Sequence, residues 1–259
     1  MPQIYSFNQF EIVAYFLVLL RVSAFVVSMP VFGVPMVAPP IKVLFGFVLS
    51  LIVFPGVDWS AVHVGTSSYQ LIFVSMREVF IGVSFGMLTR LFFFAVSMSG
   101  QIMSVSMGLS GVQLLNPALG ERSTPLDQFQ VMIATLFFLA INGHHLFIAG
   151  LVQSFDLVPL SQVALNMSGF AQMGQVMQEI MIIGVKLSAP VMVAIFLMNV
   201  VMALIGRAVP QINVLITSLP VNILGGLAVL IVSLPLIMGQ MEGILEHTAA
   251  RVFQLLKSY

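Results

Sequence analysis

One apolar run with a single arginine near its centre decides the fold of this chain: EIVAYFLVLLRVSAFVV, residues 11–27. The run lacks the two-residue alternation of a half-buried strand, so we predict a helix. About 20 apolar residues cross the hydrocarbon core of a bilayer. Because an arginine at the bilayer centre costs about 2.5–3.5 kcal/mol on insertion scales, we expect Arg21 to face protein, with a carboxylate or carbonyl partner.

The composition of the whole chain agrees with a membrane environment. Of its 259 residues, 59% are hydrophobic and 7% are charged, whereas soluble domains carry about 25% charged residues. This number of charged residues is too small to cover a surface exposed to water. A bilayer or a large apolar complex therefore acts as the solvent. The amino-terminal stretch lacks the basic region of a signal peptide, and we therefore expect the first helix to be retained.

Charge and cysteine content exclude several classes of function. Nine Lys and Arg residues balance nine Asp and Glu residues, which is unlike the basic footprint of a nucleic-acid-binding protein. The chain contains no cysteine, so disulfides, thiolate metal sites and cysteine catalysis are excluded. We expect no nucleic-acid partner.

The apolar segments predict an all-α membrane protein, because most of them are longer than typical strands. A hydropathy count gives five or six membrane spans. The segments lie at about 10–29, 41–54, 71–99, 100–115, 129–155, 174–205, 212–238 and 242–257.

Several segments are interrupted in a way that a simple bundle of spanning helices is not. The sequence NGHH, residues 142–145, divides one segment into two halves of about 18 Å each, too short to cross alone. We expect further breaks at Pro190 and Pro220. Interrupted helices survive at membrane depth only where protein or a water-filled cavity satisfies the backbone, so we predict kinked helical hairpins packed against other protein.

Charged residues lie within several apolar segments, and we expect six of them to be buried or to lie between helices. Glu179 and Lys186 are seven residues apart on one helical face, which fits a relay or, as we favour, a structural ion pair. Gly82 and Gly86 have the four-residue spacing that lets helix backbones approach closely. The six charged residues are Arg21, Arg77, Glu78, Glu179, Lys186 and Arg207.

The sequence offers no catalytic, cofactor-binding or metal-binding residues. His144 and His145 are adjacent, so on a helix their side chains point about 100° apart and cannot chelate one ion as residues four apart would. The chain contains no HExxH, GxSxG, P-loop or GxGxxG motif. We therefore expect a protein that is not an enzyme.

Four stretches, in the same order and spacing, together resemble the FliR family of flagellar export-apparatus membrane proteins, whose counterparts serve virulence-associated type III secretion. The resemblance covers nearly the whole chain. The stretches are LLRVSAFVVSMPVFGVPMVAPPIKVLFGFVLSLIVFP (19–55), REVFIGVSFG with SGQIMSVSMGLSGVQLLNPA (77–86 and 99–118), FFLAINGHHLFIAGLVQSF (137–155) and GRAVPQINVLITSLPVNILGGL (206–227).

The resemblance implies a non-enzymatic export gate in the bacterial inner membrane, at the flagellar basal body. It implies a single export-gate domain, 1–259, in which kinked hairpins resemble a fusion of a FliP-like part, about 1–155, and a FliQ-like part, about 156–259. Members assemble with several copies of FliP and FliQ, and FlhB docks against the complex. Unfolded flagellar substrates pass through its pore, and membrane lipid surrounds part of it.

The resemblance also implies that the loop after MGLS projects into this pore and helps to plug it. The chemistry of the loop suits that role, because glycines permit unusual backbone conformations and Leu114 and Leu115 form an apolar obstruction that ions do not cross. The other interpretation of this loop is an ordinary connector between helices. The predicted plug residues are Met107, Gly108, Leu109, Ser110, Gly111, Val112, Gln113, Leu114, Leu115, Asn116 and Pro117.

A proton-coupled secondary transporter is the alternative function. In such transporters broken helices mark a binding site near the bilayer midplane. Glu179, Lys186 and Arg21 would then serve as relay groups. A transporter is expected to be a monomer or a symmetric homo-oligomer, whereas a gate is expected to purify with unrelated membrane proteins.

Overall fold

The computed structural model describes residues 9–31, 37–58, 68–110, 124–160, 168–211 and 213–257. These residues are almost entirely helical and include no strand, so the prediction of an all-α protein is confirmed. A short 3₁₀ turn, Phe54–Gly56, follows the second helix. The helices are α1 Gln9–Ser28, α2 Pro39–Val53, α3 Ser68–Met107, α4 Pro125–Ala140, α5 Gly143–Leu157, α6 Ser168–Ala208 and α7 Val214–Lys257.

Among the described residues, five helices are long and apolar enough to cross a membrane: α1, α2 with its 3₁₀ turn, α3, α6 and α7. Helices α4 and α5 pass the same criteria only as a broken pair, which brings the number to six. These numbers agree with the five or six spans expected from hydropathy.

The break between α4 and α5 lies where the NGHH sequence predicted it. Helix α4 ends at Ala140 and α5 begins at Gly143. Asn142 between them has a φ of 57°, in the left-handed region. Asparagine tolerates this conformation better than most residues, so the sequence itself specifies the break.

The breaks expected at Pro190 and Pro220 are wrong. Helix α6 runs through Pro190, and α7 runs through both Pro220 and Pro235. Proline removes one backbone hydrogen bond and disturbs one turn, and a long membrane helix accommodates that loss where its surroundings satisfy the freed carbonyl.

Two pairs of predicted segments are also single helices. The segments at 71–99 and 100–115 form α3, which continues to Met107, and those at 212–238 and 242–257 form α7. Gly100, at the expected boundary within α3, is buried in a close contact with Asp127, so it is a packing position within a continuous helix.

The chain divides into two compact units, each made of pieces distant in sequence. Unit 1 comprises Met1–Leu91, Asn142–Val176 and His247–Tyr259, and unit 2 comprises Phe92–Ile141 and Met177–Glu246. This division does not fall near residue 155. The FliP-like and FliQ-like parts were expected from a resemblance to FliP and FliQ. The division into compact units does not test that resemblance, so the two parts stay a prediction.

Unit 1 is built on α1, which packs against both α2 and the first half of α3. Tyr15 of α1 donates or accepts a hydrogen bond with Ser50 of α2 at 3.2 Å. On α3, Gly82 faces α1 so closely that a Cβ there would lie 2.8 Å from the Cβ of Ala24 and closer still to the carbonyl oxygen of Arg21. The Gly82–Gly86 spacing therefore forms a helix–helix contact.

Unit 2 packs the second half of α3 against α4, α6 and α7. The Phe93 and Phe138 rings meet edge to face with centroids 5.5 Å apart. Asn222 of α7 donates a hydrogen bond to Asn199 of α6 at 2.8 Å. An amide pair between apolar helices fixes their register, because either amide alone would be unsatisfied in hydrocarbon.

Two helical glycines give a matched test of the close packing in unit 1. Gly82→Ala forces a methyl group against the α1 backbone and is expected to lower stability by about 1–3 kcal/mol. Gly239→Ala, where a Cβ meets no atom within 4 Å, is expected to raise stability by up to about 1 kcal/mol through helix propensity. Thermal unfolding of the detergent-solubilised chain, followed by size-exclusion chromatography, measures both. Equal shifts for the two variants would contradict the close contact.

Candidate functional site

A buried ion pair lies at the centre of unit 1. Nε of Arg21 donates to Oε2 of Glu78 at 2.5 Å, and both side chains are 0% exposed. The Arg21 guanidinium also lies 4.2 Å from the centre of the Phe155 ring, which adds a cation–π contact. Arg21 therefore has a carboxylate partner within its own chain.

The carboxyl-terminal end of α5 completes the surroundings of Arg21. Nη1 donates to the carbonyl of Ser154 and Nη2 to the carbonyl of Val158, each at 2.9 Å. Nη2 of Arg77 donates to the carbonyl of Pro159 at 3.0 Å. The carboxyl-terminal end of a helix carries the negative end of its dipole. The two guanidinium groups therefore donate to carbonyls at the end of α5 and just beyond it.

The cluster contains two cationic side chains, Arg21 and Arg77, and one anionic side chain, Glu78. Arg77 is buried, its Nη1 lies 3.9 Å from Oε1 of Glu78, and its Nε and Nη1 have no hydrogen-bond partner among the described residues. Two cations thus face one carboxylate, and the partial negative charge of the α5 terminus offsets part of the excess. Because arginine does not deprotonate in proteins, this cluster is a structural clamp of α1, α3 and α5.

The three charged residues predicted on α6 lie in other environments. Glu179 is half-buried, whereas Lys186 and Arg207 are exposed. The buried stripe of α6 contains Val191 and Ile195, and the two basic side chains lie off that stripe. The expectation that Lys186 and Arg207 are buried or lie between helices stays a prediction, since their exposure is that of this chain alone.

The predicted plug loop begins from a well-defined helix end. Helix α3 ends at Met107, and Gly108 has a φ of 84°, a conformation that glycine adopts without strain. The N–H of Leu109 donates to the carbonyl of Ser104, and the N–H of Gly108 donates to that of Val105, both at 3.0 Å. These two bonds form a Schellman motif, which stops the helix and turns the chain.

The far end of the loop is held in a similar way. Thr124 caps α4, because its hydroxyl oxygen accepts a hydrogen bond from the N–H of Asp127 at 3.2 Å. Pro125 occupies the first turn, where its missing N–H costs nothing. The buried Asp127 carboxylate accepts a bond from Gln101 of α3 at 3.3 Å.

Close contacts between α3 and α4 make the base of the loop rigid. A Cβ on Gly100 would lie 2.7 Å from the Cα of Asp127. Ser99 donates to Oε1 of Gln130 at 2.8 Å, and Nε2 of Gln130 donates to the sulfur of Met103 at 3.0 Å. Of the predicted plug, Met107, Gly108, Leu109 and Ser110 lie on this base, and residues 111–117 lie outside the described residues.

Helix α7 also contacts the start of the loop. A Cβ on Gly226 would lie 2.6 Å from Cε of Met107, and a Cβ on Gly108 would lie 2.6 Å from Cδ1 of Leu219. Leu219 and Gly226 are seven residues apart, so they lie on one face of the helix. This contact was not predicted from the sequence. The sequence carries no signal for it, because Met107 and Gly226 lie on different helices, α3 and α7.

The described residues contain no group of three His, Cys, Asp or Glu side chains placed to hold a metal ion. The rings of His144 and His145 lie with centroids 4.2 Å apart. The arrangement of the described polar groups is thus one of caps, clamps and interhelical contacts.

Comparison with known proteins identifies the family to which the chain is similar. A family model described as "Bacterial export proteins, family 1" matches residues 12–248. The flagellar biosynthetic protein FliR of Bacillus subtilis (strain 168) is 30% identical over 246 residues, 94% of each chain. The FliR protein of Caulobacter vibrioides is 30% identical over 225 residues, 87% of this chain and 90% of its own. That of Escherichia coli (strain K12) is 26% identical over 242 residues, 93% of this chain and 90% of its own.

These matches extend over nearly the whole chain and agree with its apolar helices. The chain therefore belongs to the FliR family of flagellar biosynthetic proteins, the bacterial export proteins of family 1, and is a membrane-associated component of the flagellar export apparatus.

Proposed function

We propose that this chain forms part of the pore of the flagellar protein export gate and that residues 107–117 plug that pore. Unfolded flagellar substrates would push the loop aside as they pass. The chain supplies no energy for the passage, because its sequence has no nucleotide-binding motif. It acts as a passive, gated conduit that holds back ions and protons.

The observation that carries the proposal is the rigid base of the loop. The Schellman motif at Gly108 and the Thr124 cap fix the two ends of residues 111–123 on helices that are in close contact. Functional loops work from rigid scaffolds, which position them while leaving the loop itself able to move.

The composition of the loop supports a barrier to ions. Leu114 and Leu115 lie near its middle, and residues 107–117 carry no charge. A constriction lined with apolar groups loses its water, and an ion cannot enter without losing its hydration shell. Such a barrier needs no tight fit around a substrate.

We also propose that the chain assembles with several copies of FliP and FliQ, with FlhB docked against the complex, in the bacterial inner membrane. The family resemblance is the basis of this proposal. The described helices support it, since they expose many large apolar side chains, including Val43 and Ile52 of α2, each 70% exposed. Exposed apolar surface of this extent is covered by protein or by lipid.

The alternative function, a proton-coupled transporter, gains no support from Arg21. All three of its guanidinium nitrogens donate hydrogen bonds within unit 1. An arginine that stays charged cannot pass a proton.

Shortening the loop tests the plug directly. Removal of residues 112–117 keeps both anchors, and we expect it to raise ion conductance of the assembled complex, because the apolar obstruction is lost. Conductance is measured after reconstitution into planar bilayers. The amounts of co-purifying partners serve as the control for assembly. Unchanged conductance in an intact complex would contradict the plug.

A second variant tests the contact between α7 and the start of the loop. Gly226→Val places a branched side chain against Met107 and is expected to displace it, with a cost of about 1–3 kcal/mol from overpacking, and to raise conductance. The same substitution at Gly239, also on α7, meets open space and is expected to leave conductance unchanged.

Room for the valine can be restored by shortening its neighbour. Adding Met107→Ala to Gly226→Val removes the atoms that collide, so conductance is expected to fall back toward the unmodified value. Equal conductance for the Gly226 and Gly239 variants would show that the α7 contact does not hold the loop.

A further inference from the structure

An exposed arginine, Arg90, interrupts an apolar face of α3. Val83 and Met87 precede it on the same face of the helix, and Phe94 follows it one turn further along. These three apolar side chains are 43%, 44% and 45% exposed. On the same face, Val105 near the end of α3 is 66% exposed. Apolar side chains therefore lie on both sides of Arg90, which is within the face rather than at its end.

The side chain of Arg90 is held near its middle and is free at its tip. Nε donates to the carbonyl of Ser28 at 2.5 Å. Ser28 is the last residue of α1, where the negative end of the helix dipole lies. Among the described residues, Nη1 and Nη2 of Arg90 have no hydrogen-bond partner and no carboxylate forms an ion pair with them. The two nitrogens present the planar fork that binds a carboxylate through two parallel hydrogen bonds.

Arg21 shows what this chain provides for a guanidinium in an apolar helix. It has a carboxylate and two carbonyls as partners within unit 1. Arg90 is the only charged residue between Val79 and Met107, and it has one carbonyl among the described residues. The acceptors for its remaining donors therefore come from outside the described part of the chain.

Neither lipid nor water suits the whole of this face. Helix α3 contains 40 residues, Ser68–Met107, about 60 Å of helix and twice the thickness of a hydrocarbon core. In hydrocarbon a guanidinium is costly, and a long side chain avoids that cost by extending to the headgroups. The bond to Ser28 holds Arg90 back from doing so. Water would suit Arg90 but not the apolar side chains on both sides of it.

We propose that the face of α3 around Arg90 docks against an apolar helix of another export-apparatus protein, and that an Asp or Glu side chain of that helix pairs with Nη1 and Nη2. The proposal rests on the proposed assembly with other membrane proteins and assigns one contact within it. Arginine is enriched at interfaces, and surrounding apolar contacts exclude water from such a pair. Because the bond to Ser28 already orders the side chain, docking removes little of its freedom.

A zero-length cross-link identifies the partner carboxylate. Arg90→Lys places an amine at this position, and a lipid-soluble carbodiimide joins an amine to a carboxylate that it touches. The purified export assembly is treated with the reagent, and mass spectrometry identifies the linked peptides. The assembly with the unmodified chain gives the background, because a guanidinium does not react. We expect an amide bond between residue 90 and an Asp or Glu of another protein.

Exchange of the two charges tests whether the contact is an ion pair. Arg90→Glu places two acidic groups face to face and is expected to speed dissociation of that partner from the solubilised assembly by about tenfold or more. Replacing the identified Asp or Glu of the partner by Arg in the same assembly is expected to recover most of the loss. Met87→Leu, a neutral change on the same face, is expected to alter the rate by less than about twofold. Native mass spectrometry over time measures the rates.

Several results overturn the proposal. A cross-link only to a carboxylate of the same chain would place the partner of Arg90 inside the molecule. An intact assembly without a cross-link, or one whose dissociation is unchanged by Arg90→Glu, would leave this face to lipid. Loss without recovery in the charge exchange would assign the effect to the bond with Ser28. Failure of any membrane protein to co-purify would overturn the proposed assembly itself, whereas the other results remove only the contact at Arg90.

Discussion

The buried pair between Arg21 and Glu78 is the interaction on which unit 1 depends. A guanidinium in an apolar helix is tolerated only with a close counter-charge and satisfied donors. Glu78 supplies the charge at 2.5 Å, and the end of α5 supplies carbonyls at 2.9 Å. The carboxylate can reach Arg21 because Gly82, one turn further along α3, lets the two helix backbones meet. One charge thus determines the contact of α1 with α3 and the position of α5.

In unit 2, neutral polar side chains rather than charged ones form the buried hydrogen bonds between helices. Ser99, Gln130 and Met103 form a buried polar contact between α3 and α4, and Asn222 with Asn199 does so between α7 and α6. Buried polar groups without partners are costly in a low-dielectric interior, so each pair selects one register of its helices. In unit 2 the contacts between α3 and α4 also hold the end of α3 beside the start of α4.

Much of the architecture could be predicted from residues whose effect depends on their own chemistry and on their neighbours in the sequence. The Arg21 environment followed from the cost of a charge in hydrocarbon, and the break at Asn142 followed from a sequence that favours a left-handed residue. The continuity of α6 and α7 through Pro190 and Pro220 could not be predicted, since it depends on packing around the freed carbonyls. The same is true of Gly226, whose role appears only once Met107 of a distant helix is beside it. The exposure of Lys186 and Arg207 within this chain could not be read from their apolar segment, because it depends on which face of α6 packs.

A double-mutant cycle on Arg21 and Glu78 measures how strongly the buried ion pair holds unit 1 together. Unfolding free energies are measured for Arg21→Leu, Glu78→Leu and the double variant, with Arg90→Leu and Glu78→Leu as the matched control cycle. Breaking a buried pair typically costs about 3–5 kcal/mol because it leaves one charge uncompensated. The account predicts that the double variant is more stable than the sum of the single effects by at least about 2 kcal/mol, while the control cycle, through the exposed Arg90, is additive within about 0.5 kcal/mol. Additive effects in both cycles would contradict the claim that this ion pair holds unit 1 together.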